Sequence, residues 1–186
     1  MSQEKVAVVR QPVAVRAQSR RRLEERLGLR FPRLLALVAR AVWRLPPRSR
    51  LRQAIIGRAV QMGTEATNRG DHEAAFGLYH PDCEAIFPPQ IIGLGEDPLY
   101  RGREERISVQ RRWTAEWGEL RFEPEEVIDL DPRVLVIGRM KGRGVSSRAS
   151  FDNEWAVLLT ISAGRVVRDQ LFIDHGEAFQ AAGLSG

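Results

Sequence analysis

Three histidines, one cysteine and a Gly-Leu-Gly stretch are the first places to look for chemistry in this 186-residue chain. His72, His80 and His175 have no second ligand at a metal-binding spacing, so turn or surface roles are the simpler reading and no metal is expected. Cys83 has no base near it in sequence and stands where a strand should begin, which reads as a small buried residue. A single cysteine also excludes an intrachain disulfide and a cysteine-based zinc site. Gly93-Leu94-Gly95 lacks the third glycine and the helix of a dinucleotide site. No phosphate-loop pattern and no Gly-x-Ser-x-Gly elbow occurs. No cofactor is therefore expected, and any chemistry must come from ordinary side chains that the fold brings together.

The charge is unevenly spread. The formal net charge is +5, yet Met1 to Arg58 holds 15 Lys+Arg against 3 Asp+Glu, and Ala59 to Gly186 holds 14 against 21. Of the basic residues only Lys5 and Lys141 are lysines, an arginine bias that fits GC-rich codons. The apolar run Leu34 to Trp43, broken by Arg40, is shorter than the ~20 residues of a membrane span. No signal-peptide pattern stands at the N-terminus, and with one cysteine a cytoplasmic protein is expected.

The elements that must position the site follow from periodicity. Residues 1–18 show none. From Arg20 to Arg44, Leu23, Leu27, Phe31, Leu34, Leu35, Val38 and Val42 recur at helical steps, with Pro32 starting or kinking the helix and Pro46-Pro47 ending it. Its other face carries arginines. Three readings of this basic segment stay open: contact with an anionic membrane surface or nucleic acid, docking on the domain or a second subunit, or a loosely attached extension. Leu51 to Asn68 reads as a helix, capped at Gly70, and Asp71 starts a short helix that runs from His72 to Tyr79. Cys83 to Phe87 is a short strand, Pro89 to Tyr100 a loop and Arg103 to Trp117 a third helix. The period then falls to two. Leu120 to Leu130, Val134 to Arg143, Phe151 to Ile161 and Val166 to Ile173 are strands joined by short turns, an antiparallel meander. Helices followed by hairpin-linked strands make an α+β fold.

This order resembles the SnoaL-like branch of the nuclear-transport-factor-2-like superfamily. The resemblance rests on Asn68-Arg69-Gly70-Asp71, Leu78-Tyr79-His80-Pro81-Asp82, Tyr100-Arg101-Gly102-Arg103-Glu104, Glu126-Val127-Ile128-Asp129-Leu130 and Gly164-Arg165-Val166-Val167-Arg168. Asp174, Glu177-Ala178-Phe179 and Ala181-Ala182-Gly183-Leu184 complete it. It implies three helices packed on a strongly curved antiparallel sheet that forms a cone, over residues 51–186, with residues 1–50 as a basic, partly helical extension. It also implies a homodimer through the sheet and a hydrophobic pocket for a small organic molecule. Polyketide cyclases, ketosteroid isomerases and epoxide hydrolases share the fold, as do non-catalytic binders. The isomerase base would fall at Phe87 and its oxyanion-hole tyrosine near Gly63. The epoxide-hydrolase arginine is matched by Arg139, but its two acids fall at Lys141 and Leu171. Asp169 is the nearest candidate for the acid–base aspartate of the cyclases.

On that alignment Ile137, Arg139 and Lys141 face into the cone. Asn153, Trp155 and Val157 follow on the next strand, then Val167, Asp169, Leu171 and Ile173, with Ala85 and Phe87 from the first strand. Met62, Tyr79, Trp113 and Trp117 come from the helical layer. Arg139 and Asp169 are read either as a catalytic pair or as a structural ion pair, and Trp113 and Trp117 as lining or as core. Glu154 and Arg168 face outward. Two functions remain open: cofactor-free acid–base chemistry on a hydrophobic carbonyl or polycyclic compound, or binding without catalysis. No specific nucleic-acid partner is expected. A weak contact of residues 1–50 with an anionic surface is the third possibility.

Overall fold

The computed structural model describes residues 8–13, 20–92, 97–144 and 149–184. Two helices, α1 (Leu23–Arg30) and α2 (Pro32–Val42), occupy the helical stretch expected before Trp43, and of the two readings of Pro32 it starts a helix. Pro32 sits at the first helical position of α2, where its missing N–H costs nothing, and Phe31 closes one helix and opens the next.

The long helix α3 (Arg50–Asn68) follows, with the Ser49 side chain accepting from the Arg52 amide. It ends where the sequence predicts, with Gly70 at φ +76°. Asp71 then caps α4 (His72–Ala75) by accepting from the Ala74 amide. Asn68 acts as a clamp: its Nδ2 donates to Phe122 O and its Oδ1 accepts from Phe122 N, both at 2.8 Å. The side chain thus bonds the helix end to a strand as a backbone would.

Strand β1 (Val9–Pro12) precedes these helices. Beyond α4 come β2 (Tyr79–Ile86), the single turn α5 (Pro89–Ile92), β3 (Leu99–Arg101) and α6 (Arg103–Glu116). The meander β4 (Trp117–Asp129), β5 (Arg133–Gly144), β6 (Ser150–Ser162), β7 (Arg165–Phe172) matches the expected hairpins, and α7 (His175–Ala182) closes the described chain. The strands form one open sheet in the order β1-β4-β5-β6-β7-β2-β3. The sheet is α+β in context but mixed, because β2 pairs parallel with β7 while all other pairs are antiparallel. β1 was not foreseen. It lies in an aperiodic segment and takes its pairing from β4, Val9 opposite Asp129.

Helices α3 and α6 cover the inner face of the sheet, where Ile56, Val109 and Trp113 meet Phe122, Val134, Val136, Met140, Trp155, Val157 and Leu171. α7 covers part of the outer face, with Ala178 and Ala182 against Leu135, Ile137, Leu158 and Phe172. β5 is therefore buried on both faces, which corrects one expectation. Val136 pairs with Val157 and Met140 with Asn153, whereas Ile137, Arg139 and Lys141 pair with Ala156, Glu154 and Asp152 on the outer side. Directly opposite residues share a face. Val134-Leu135-Val136-Ile137 is apolar throughout, so alternation carried no phase there, and the alignment was off by one residue. Among the described residues no helix is long and apolar enough to cross a membrane.

Candidate functional site

The inner face is apolar except at one end, where β7, β2 and α6 meet. Asp169 comes from β7 opposite Ala85 of β2. Its carboxylate is 1% exposed. Oδ2 accepts from Arg106 Nε at 2.7 Å and from the Tyr79 hydroxyl at 3.0 Å. Neither bond uses Oδ1. The Arg106 guanidinium lies between two rings, 4.5 Å from the centroid of Phe76 and 4.7 Å from that of Phe87. Its Nη1 donates to Gln110 Oε1 at 3.0 Å. This fixes the orientation of the amide, because an arginine has only donors and the facing atom must be the oxygen. Among the described residues Gln110 Nε2 is left buried with no partner. Trp155 Nε1 and Trp117 Nε1 are likewise buried donors without partners. Each such group carries a desolvation cost of ~1–3 kcal/mol.

Electrostatics sharpen the roles. Burial first, then the Asp169 charge, pushes the Tyr79 phenol well above its ordinary value. Tyr79 therefore remains a proton donor to Asp169. Burial also raises the Cys83 thiol, which keeps it protonated and a poor nucleophile. His72 is pushed down by burial and by the charges of Arg111 and Arg106, so it stays neutral beside the cluster. Among the described residues no group of three His, Cys, Asp or Glu side chains could hold a metal ion.

The residues expected in the site divide into three groups. Phe87, Trp113, Trp155 and Leu171 are buried in the inner core with Asp169 beside them, Trp117 packs against that core, and Tyr79 reaches Asp169 from β2. Met62 is half-buried on α3, Ile173 is half-buried just past β7, and Asn153 is exposed. Arg139 and Lys141 lie elsewhere. On the outer face Arg139 Nε donates to Asp152 Oδ1 at 2.7 Å and Lys141 Nζ to Glu123 Oε2 at 2.6 Å. Arg139 and Asp169 do not meet; β6 runs between their strands. The arginine that meets Asp169 is Arg106. Its signal was present in sequence, since Arg106, Gln110 and Trp113 share a helical face at steps of four and three.

Two open clefts lie away from this cluster. One of ≈710 Å³ is lined by Arg20, Arg21, Arg26, Leu29 and Arg30, and one of ≈360 Å³ by Arg40, Trp43, Arg44, Asp131, Pro132, Ile161, Ala163 and Gly164. The inner face is filled by its own aromatic side chains, with Phe122 ring contacts of 5.7 Å to Trp113 and 5.3 Å to Trp155.

An open sheet with helices packed on its inner face is the arrangement of the nuclear-transport-factor-2-like class. The description of the SnoaL-like domain matches residues 60–169, more than half of the sequence, and the chain belongs to that family. Solved structures agree on the fold. A nuclear-transport-factor-2-like protein of unknown function from Burkholderia pseudomallei is 24% identical, with a TM-score of 0.56 over 66% of this chain and 93% of its own. TerC, co-crystallised with polyporic acid, is 18% identical with a TM-score of 0.56, over 68% and 96%. SalBIII, an epoxide hydrolase/cyclase-like enzyme of pyran ring formation in salinomycin, is 16% identical with a TM-score of 0.54, over 66% and 92%. No curated protein matches the sequence.

Proposed function

We propose that the inner face binds a small, largely apolar carbonyl compound, and that Asp169 moves a proton on it without a cofactor. The observation that carries this reading is the Asp169–Arg106–Gln110 relay, in which one arginine orients a carboxylate and an unpartnered amide donor. In such a site Asp169 Oδ1 accepts the proton alpha to the carbonyl, and Gln110 Nε2 donates to the developing enolate oxygen. Arg106 and Tyr79 hold Asp169 in place through Oδ2. Arg106 thus takes the position first given to Arg139. The aromatic residues Phe87, Trp113, Trp117 and Trp155 would enclose the substrate, with Leu171 beneath it. The compound must displace some of these rings to enter. The crystallisation of TerC with an organic acid and the ring-forming role of SalBIII support a small-molecule site in this fold.

The test follows α-proton exchange. A panel of hydrophobic ketones is incubated with the protein in deuterated water and read by NMR, with tryptophan fluorescence reporting binding. Exchange by the wild-type chain that drops at least ~100-fold in Asp169→Asn, with binding retained, is expected. Equal exchange in the two proteins removes the acid–base role. A second reading, binding without catalysis, is favoured by the full enclosure of Asp169 and by the closed packing of the rings. Binding that quenches fluorescence without exchange would select it.

A homodimer through the outer sheet face remains a proposal of the family resemblance. That face carries the cross-strand ion pairs Arg139–Asp152 and Lys141–Glu123, with Arg121 beside Glu123 on the same strand. A monomer by light scattering would remove it. The division into an extension over 1–50 and a domain over 51–186 is likewise proposed, and supported by the start of the family match at residue 60.

A further inference from the structure

Most of the described arginines up to Arg58 fall into two populations. Arg21 bonds Asp71 and Glu73, Arg22 pairs with Glu65, Arg52 with Asp129 and Arg58 with Glu24. These turn inward to the domain. Arg26, Arg33, Arg40, Arg44, Arg48 and Arg50 are exposed and have no ion pair or side-chain hydrogen bond among the described residues. The described acids of this stretch are both paired. Glu24, exposed, reaches Arg58, and Glu25 is buried against Arg69. Among the described residues the outward face of α1 and α2 therefore carries no unpaired carboxylate.

That same outward face is apolar along its centre. Leu23 is 68% exposed, Leu34 59% and Leu37 63%, and Leu27, Phe31 and Val38 are each about half exposed. At 100° per residue, Leu23 and Leu27 share a line on α1, with Arg26 and Arg30 directly beside it. On α2, Leu34, Leu37, Val38 and Ala41 form the line, with Arg33, Arg40 and Arg44 along one flank. The opposite side of α2 holds Leu35, Ala39 and Val42 against the domain. The backbone at Ala39 and Arg40 rests on Gly164, too close for any Cβ at that glycine. The helix is thus held in place by one face while a second face stays bare. The cleft at Arg20, Arg26 and Arg30 adds a cluster of guanidinium groups at one end of the stripe.

We propose that α1 and α2 dock the protein on an anionic lipid surface, with the aliphatic stripe in the acyl boundary and the arginines on the headgroup phosphates. A bare aliphatic stripe flanked by arginines is the pattern of an interfacial helix. Nucleic acid would use the arginines but leave Leu34, Leu37 and Val38 in water. A second copy of this chain would cover the stripe, but would bring two arginine flanks together with no unpaired described carboxylate between them. The acidic remainder of the chain, with a net charge of −7, sets the orientation. It is repelled from an anionic leaflet while the basic end is attracted.

The test is flotation of the full-length protein with vesicles of phosphatidylcholine, alone or mixed equally with phosphatidylglycerol, at low and high salt. Binding to the mixed vesicles should exceed binding to phosphatidylcholine by about tenfold or more and fall with salt. Leu34→Glu with Leu37→Glu should lose about tenfold at low salt, and Arg33→Gln with Arg40→Gln and Arg44→Gln a similar factor. All five positions are exposed, so circular dichroism and the unfolding midpoint should not change. Equal binding to both vesicle types, or variants that bind as the parent does, would overturn the proposal. A solution dimer that Leu37→Glu splits, with no vesicle binding, would overturn it too and assign the face to a second copy.

Discussion

A single guanidinium organises the inner site, and its removal should leave a mark that a peripheral arginine would not. Arg106 is the charged partner of a carboxylate that is 1% exposed. Arg106→Met leaves Asp169 buried with only the Tyr79 hydroxyl, which should cost about 3–5 kcal/mol in urea unfolding. Adding Asp169→Leu should recover part of that loss, since no orphan charge then remains. A double variant less stable than the single one would show that the cluster is not a coupled pair. His72 gives a second, independent signature. Its folded-state value lies below the ordinary 6.5. As pH falls the unfolded chain takes up this proton first, so the contribution of His72 is complete above about pH 6.5 and is lost on the way down. The stability gap between neutral pH and about pH 5 should therefore shrink in His72→Gln, and an unchanged gap would argue that His72 is freely protonated in the fold. At this scale the sequence was half legible. Asp169, Trp155 and Leu171 face inward as the resemblance implied, although their own strands show no clean alternation, since Trp155 to Leu159 is apolar throughout and buried on both faces. Arg139 was misplaced because β5 does not alternate. Arg106 was missed because the eye follows the apolar stripe of a helix, and here two polar residues lie on that stripe.

The segment before Arg50 is held to the sheet by the β1–β4 pairing and by one buried side chain of α3. Arg52 is fully buried. It donates through Nε and Nη2 to both oxygens of Asp129 on β4, at 2.8 and 2.9 Å. Nη1 donates to the Leu45 carbonyl at 2.8 Å, and the guanidinium stacks 4.3 Å from the Trp43 ring. One residue of α3 thereby joins the end of α2 to the sheet. Arg52→Leu should cost about 3–5 kcal/mol, mostly by leaving Asp129 buried and unpaired. Arg58→Leu removes an exposed pair with Glu24 and should cost less than ~1 kcal/mol. Thermal midpoints of the two variants compare them directly, and equal shifts would refute the distinction. Most elements were legible: α3, α6 and the four long strands stand within a few residues of their expected limits, because glycines, prolines and polar turns mark most of their ends. β1 and the split at Phe31 were not. A short edge strand has no period of its own, and a proline at a helix start looks the same in sequence as one that kinks a helix.

Charge asymmetry was the most visible feature of the whole chain, but its sign alone could not tell an idle tail from a working part. The structure separates two jobs within one segment. Arg22 reaches the fully buried side chain of Glu65, and Glu25 pairs with Arg69 at 2.8 Å, so part of the segment neutralises charges inside the domain. A chain beginning at Arg50 loses those pairs together with strand β1, the Trp43 stack and the Leu45 carbonyl. It leaves Glu65 buried without Arg22, and the shortened protein should unfold at least ~3 kcal/mol more easily than the full chain in urea. The same stability in both would mean that these inward contacts contribute nothing. The outward face is a separate matter. Leu34→Glu with Leu37→Glu touches none of the inward pairs, so it should keep the full-length urea midpoint while losing vesicle binding. Stability that falls with the outward variant would join the two jobs into one. Stability that is unmoved, beside a truncated chain that is weakened, assigns holding to the inner face of α1 and α2 and docking to the outer.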